Sequence, residues 1–186
     1  MAVPPRTLRA TPGQTVGPFF AYGVGYDRMH QVAHPHAPGT VLLGGTVYDG
    51  AGDPVPDAFV EIFGADSDGR VPHSRGAFRR DDHTFTGFGR AFTDGEGHFE
   101  FFTREPGSVG KGAPFFAAVV YARGLAHKLH TRIYLPLGDE ALAADPFLSS
   151  LTAEERSTLI AERADGGGLH HDVRLQGERE TVFLAF

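Results

Sequence analysis

Turn-forming residues recur too often in this chain for long helices to survive. There are 25 glycines and 13 prolines in 186 residues, about a fifth of the whole. Glycine in a helix interior costs about 1 kcal/mol relative to alanine and proline about 3 kcal/mol, so the segments between them are short and read best as strands. Period-2 alternation and β-branched or aromatic content place those strands. Thr40 to Tyr48 (TVLLGGTVY) runs into the turn DGAGDPVPD, after which Ala58 to Phe63 (AFVEIF) alternates again. His98 to Thr103 (HFEFFT) follows the turn TDGEG. Phe115 to Ala122 (FFAAVVYA) is continuous enough to predict a central strand buried on both faces. Leu129 to Leu135, Leu169 to Leu175 and Thr181 to Phe186 bring the count to about seven, which predicts an all-β fold, an antiparallel β-sandwich.

One segment reads as a short helix. Thr152 and Glu155 form a capping box, and Leu159 and Ile160 supply an apolar stripe that should end before Gly166. The stretch 65–88 is polar, holds Arg70, Arg75, Arg79 and Arg80, and has no sustained period, which predicts a long surface excursion of the kind that is functional or packs on a partner. Residues 1–38 also lack a pattern yet carry Phe19, Phe20, Tyr22 and Tyr26. Aromatics are costly to leave in water, so this stretch is expected to be an N-terminal arm lying against something, followed by one sandwich domain over 39–186.

Composition excludes several classes of function. Lys and Arg number 17 against 23 Asp and Glu, a formal charge of -6, so the electrostatic footprint of a nucleic-acid binder is missing. With no cysteine there can be no disulfide, thiolate nucleophile, Cys-ligated zinc or iron-sulfur cluster. The longest apolar stretch, Ala113 to Ala122, is well short of the roughly 20 residues of a membrane-crossing helix. The start MAVPPRTLRA has no signal-peptide core. A cytoplasmic protein without membrane contact is expected.

Motif by motif, the local chemistry is weak. Ten histidines invite a metal reading, since imidazole is the commonest ligand. His34 and His36 can point the same way but lack a third ligand, while His127 with His130, and His170 with His171, stand at spacings that send side chains to opposite faces of a strand. These read as satisfied surface or core histidines. No serine sits in a G-x-S-x-G context. GFGR at 87–90 and GGG at 166–168 do not open a helix after a strand and read as turn glycines. Asp81 and Asp82 read as a solvated face. The strand-turn-strand pattern of GGTVYDGAGDPVPDAFVEIF followed by TDGEGHFEFFT is shared by transthyretin-like and adhesion sandwiches, so a non-catalytic binding or structural module stands as the alternative to an enzyme.

Longer segments carry a resemblance. TPGQTVGPFF at 11–20, LLGGTVYDGAGDPVPDAFVEIFGADSDG at 42–69, FTGFGRAFTDGEGHFEFFTREPG at 85–107, APFFAAVVYARGLAHKLHTRIYLP at 113–136 and LQGERETVFLAF at 175–186 together make the chain resemble the intradiol ring-cleavage dioxygenases. The LHTRIY segment points to the α branch of the two-subunit members. The resemblance implies a non-haem Fe(III) held by two tyrosinates and two histidines, hard ligands that favour the ferric state and a Lewis acid for a bound catecholate. This chain departs from that set: the four matching positions hold Val71, Val109, Phe115 and Ala117, and no tyrosine occurs between Tyr48 and Tyr121. The resemblance therefore implies no catalytic residue and no metal ligand in this chain alone, with Fe(III) bound by a homologous β subunit in a hetero-oligomer of αβ units. It implies O2-dependent cleavage of a small aromatic acid, 3,4-dihydroxybenzoate, to 3-carboxy-cis,cis-muconate. It also implies that Thr15, Gly17, Pro18 and Phe19 of the arm, and Arg132 of LHTRIY, contribute to the partner's substrate pocket. Gly17 and Pro18 would fix a backbone that approaches a flat ring, and Arg132 would offer a forked donor to an anion. Many members have a tyrosine where Phe19 stands, so a hydroxyl contact is missing there.

Overall fold

Alternation in the sequence becomes alternation in burial. In the computed structural model, which describes residues 13–17, 19–73 and 78–185, the strands are β1 (Thr40–Tyr48), β2 (Phe59–Phe63), β3 (Phe88–Phe92), β4 (His98–Arg104), β5 (Phe115–Tyr121) and β6 (Leu129–Tyr134), followed by the two-residue strands β7 (Glu162–Arg163), β8 (Leu169–His170) and β9 (Val173–Arg174). One sheet runs β4-β1-β8-β7 with β9 also on β1, and the other runs β3-β2-β5-β6. Leu43, Val47, Phe99 and Phe101 of the first sheet meet Val60, Ile62, Phe116, Ala118, Val120 and Ile133 of the second in one apolar core. Phe99, Phe101 and Phe116 are fully buried, each contributing about 2–3 kcal/mol relative to exposure.

The all-β sandwich is as expected, and its details differ in ways that have physical causes. β5 is central, between β2 and β6, but only one face is buried: Phe116, Ala118 and Val120 point inward while Ala117 is exposed. An apolar run does not say what covers its second face. β3 falls on residues read as a turn. Gly89 lies within it because a Cβ there would come 2.5 Å from Val32 Cγ2, so the glycine serves close packing. The first sheet is mixed, since β8 and β9 both pair parallel with β1. The segment Leu169 to Leu175 splits at His171 and Asp172, where the Thr46 amide donates to the Asp172 carboxylate at 2.9 Å in place of a ladder bond. Of the expected C-terminal strand only a bridge between His130 and Leu184 forms, and Phe186 is outside the described residues.

Two short α-helices occur among the described residues, α1 (Asp139–Ala143) and α2 (Ala153–Ser157), with a 3-10 turn at Leu148–Ser150 between them. α2 has the capping box read from the sequence: the Glu155 amide donates to the Thr152 hydroxyl at 3.2 Å and the Thr152 amide to the Glu155 carboxylate at 2.8 Å. It ends sooner than expected, and Leu159 is buried beyond its end. α1 is too short to show a helical period and was not legible.

The arm is tied to the sandwich. The Ala33 amide donates to the Phe102 carbonyl at 2.9 Å and the Phe102 amide to the His30 carbonyl at 3.1 Å, which buries Val32 and Ala33. Phe20 stacks on Phe59 at 5.4 Å. Arg80, from the polar excursion, donates to the Tyr26 hydroxyl at 3.1 Å and the Phe88 carbonyl at 2.8 Å, and Arg28 pairs with Asp82. That part of the excursion braces the arm. Phe19 and Tyr22 pack edge to face yet stay 73% and 84% exposed.

Candidate functional site

The positions that matter gather where β2 ends and β5 begins. Phe63 stands opposite Ala117, and Ala117 opposite Arg132, so these three share the outer face of the β3-β2-β5-β6 sheet. Two loops meet at this end. The Asp66 carboxylate accepts the amides of Asp68 and Arg70 at 2.9 and 2.8 Å, closing the turn that leads to Val71. The Gly107 amide donates to the Asp66 carbonyl at 2.7 Å, which docks the loop carrying Val109, itself 52% exposed.

Arg132 dominates the electrostatics. Its guanidinium lies 4.4 Å from the Phe115 ring centroid and 4.9 Å from that of Phe147, a cation held between two aromatic faces. It donates to the Tyr134 hydroxyl at 2.9 Å. Arg132 and Tyr134 share a face because they are two apart on β6. Tyr134 is fully buried, and its hydroxyl donates in turn to Asp145 at 3.4 Å. Burial pushes the Tyr134 pKa above its usual value, against the opposing influence of Arg132, so it stays a phenol. Asp145, 2% exposed, accepts the amides of Ala113, Phe147 and Leu148 at 2.9, 2.9 and 3.0 Å. That carboxylate stitches the segment after α1 onto the start of β5 and fixes Phe147 over the arginine.

Ferric ion does not fit these residues. Val71, Val109, Phe115 and Ala117 have no lone pair to donate, the one buried tyrosine is protonated and engaged, and a permanent guanidinium charge sits against Phe115. Among the described residues, no group of three or more His, Asp or Glu side chains could hold a metal ion, and no helix is long and apolar enough to cross a membrane.

Thr15 and Gly17 are exposed, as is Phe19; Pro18 is outside the described residues. Val16 lies beside Tyr121, Ala122 and Leu125, at the far end of β5 from Ala117 and Arg132. Four residues of strand amount to roughly 13 Å, so the structure does not bring Arg132 and the arm residues together as one site within this chain. Tyr134, Asp145 and Phe147 were missed by sequence reasoning. The Arg-x-Tyr spacing on one strand face could have signalled the first; nothing local signals the other two.

The sequence model of a family described as dioxygenase matches residues 16–118. A protocatechuate 3,4-dioxygenase alpha chain from Burkholderia cepacia is 42% identical over 96% of this chain and 98% of its own length. The protocatechuate 3,4-dioxygenase beta chain of the same organism is 29% identical over 76% of this chain and 66% of its own. Among solved structures, the dioxygenase domain of a carbohydrate-binding fusion protein from Streptomyces sp. SirexAA-E aligns with a TM-score of 0.58 at 22% identity, over 91% of this chain and 99% of that one, a likeness of fold.

Proposed function

Because the chain belongs to the intradiol dioxygenase family, we propose that it is the α subunit of a protocatechuate 3,4-dioxygenase, which with an iron-bearing β subunit cleaves 3,4-dihydroxybenzoate by O2 to 3-carboxy-cis,cis-muconate. The observation that carries this reading is the pairing of an end-to-end match to an alpha chain with a corner that holds Val71, Val109, Phe115 and Ala117 and an arginine cation between two aromatic rings. A corner that presents a guanidinium in place of ligands is unfit for ferric ion, which supports a role exercised through another chain. The related beta chain supplies the class of partner.

In this assembly Thr15, Gly17, Pro18 and Phe19 extend from the arm, residues 1–38, to the mouth of the partner's pocket, and residues 39–186 form the sandwich. The 73% exposure of Phe19 and 84% of Tyr22 support the arm as a partner-facing surface. Arg132 supplies a fixed positive charge toward the carboxylate of the aromatic acid. Fe(III) belongs to the β subunit, and the complex works in the cytoplasm on a small soluble acid.

The test is iron content and protocatechuate-dependent oxygen uptake of the purified chain with and without a co-expressed β chain. Iron and activity are expected only in the co-purified complex. Stoichiometric iron and turnover in the lone chain would refute the assignment.

A further inference from the structure

A polar cavity of about 190 Å³ opens between the end of α2 and the β8–β9 turn. Arg174 and Arg179 line it, with His170 and His171. The two arginines sit on one braced hairpin: the Thr181 amide donates to the Arg174 carbonyl at 3.0 Å and the Arg174 amide to the Thr181 hydroxyl at 2.9 Å. The Arg174 guanidinium stacks on Tyr48 at 4.6 Å, and neither arginine has a carboxylate partner among the described residues. Arg179 holds a left-handed backbone at φ 58 within the turn that the Glu180 amide closes on the Gly177 carbonyl at 3.2 Å, and its side chain is exposed.

Two acidic groups also face the cavity. Asp172 is committed, accepting the Thr46 amide at 2.9 Å and paired with His170 at 3.0 Å. Glu162 lies at the exposed rim. No group of three or more His, Asp or Glu side chains among the described residues could hold a metal ion, so the two arginines without a carboxylate partner are the groups left to meet a ligand, which favours an anion.

His171 narrows the choice. It is 4% exposed, and its Nε2 has no hydrogen-bond partner. Its hydrogen bond to the Ile160 carbonyl uses the single N–H of a neutral imidazole, leaving Nε2 as an acceptor. A buried acceptor without a donor is costly. The guanidiniums call for acceptor oxygens and Nε2 calls for a donor. We infer that this cavity binds a small oxyanion that keeps a hydroxyl group, such as monohydrogen phosphate or a hydroxycarboxylate, with Arg174 and Arg179 on its oxygens and with His171, whose Nε2 is closed off from the cavity in this structure, turning outward to accept from its hydroxyl. Nothing in ring cleavage requires this site, and its test is independent of the reading above.

The experiment is calorimetric titration of the full chain at neutral pH with inorganic phosphate, malate and sulfate, each at ionic strength matched with chloride. Saturable one-to-one binding of phosphate or malate is expected, with sulfate, which has no proton to donate, weaker by about tenfold; whichever of the first two binds more tightly identifies the source. Arg179→Gln, on an exposed side chain, should weaken binding by about tenfold and leave the unfolding midpoint in chloride unchanged, and Glu162→Gln should tighten it. No saturation by either ligand below about 20 mM, equal affinity for sulfate, or undiminished binding by Arg179→Gln would overturn the inference.

Discussion

His171 sets how this fold responds to acid. Burial pushes its pKa from the ordinary 6.5 down to about 4, against the opposing influence of Asp172 and the Ile160 carbonyl and with a small further push from His170. Arg174, Arg179 and Glu162 face the same cavity. Above pH 6.5 the imidazole is neutral in both folded and unfolded chains and its burial carries no protonation cost. Between pH 6.5 and 4 the unfolded chain takes up a proton that the folded chain refuses, so stability falls as pH falls, by about 1.4 kcal/mol per unit and about 3 kcal/mol in all. Against a typical total of about 5–15 kcal/mol that is a large share. The amides of Thr84 and His83 around Asp81, those of His98 and Glu96 around Asp94, and that of Thr152 at Glu155 hold these carboxyls below their usual range. Their contributions are present above the ordinary carboxyl pKa of about 4 and are lost only below it, so an assay kept above about pH 5 isolates the histidine. Urea unfolding of the wild type and of His171→Gln between about pH 7 and 5 should show a wild-type loss of about 1.4 kcal/mol per unit below pH 6.5. The variant, though less stable overall, should be nearly flat. Equal slopes in the two proteins would refute the reasoning, as would an NMR titration placing His171 near 6.5.

Asp145→Ala should destabilise the chain by about 4 kcal/mol, because three buried amides and the Tyr134 hydroxyl lose their acceptor together; a change under about 1 kcal/mol in denaturant unfolding would show that water replaces the carboxylate. Thr152→Ala removes the hydroxyl half of the capping box and should cost about 1 kcal/mol by the same measurement. Arg132→Ala, assayed in the αβ complex, should raise KM for protocatechuate by about tenfold with kcat little changed, whereas loss of β-chain co-purification would make the arginine an assembly residue.

Strands were legible wherever alternation was strong and turns were marked, as at β1, β2, β4 and β6. They were illegible where tertiary contact overrode composition. Gly89 reads locally as a turn residue, and only the approach of Val32 from the distant arm explains a glycine inside β3. At Gly45 a Cβ would come 1.8 Å from the His171 carbonyl oxygen, so that glycine admits the parallel β8–β9 segment, a long-range pairing that no local pattern encodes. His171 itself read as a satisfied histidine; that it is buried with an unpartnered Nε2 depends on the β1 backbone, far away in sequence, which accepts its amide at Gly44.

The site divides along the same line. That four positions lack metal donors is legible from residue identities once the resemblance fixes their register. Identity cannot say what the vacated corner became. Replacing ligands with apolar groups would by itself leave a weak hydrophobic depression. The structure adds a guanidinium clamped between Phe115 and Phe147 and steered by a Tyr134–Asp145 relay that is buried throughout. Desolvating a charge is costly unless it is well partnered, and Arg132 is partnered by ring faces and one phenol, with no carboxylate among the described residues. Its charge is therefore only partly compensated within the chain. An anion on another molecule would complete that compensation, and this is the physical support for the proposal that Arg132 meets the carboxylate of the aromatic acid.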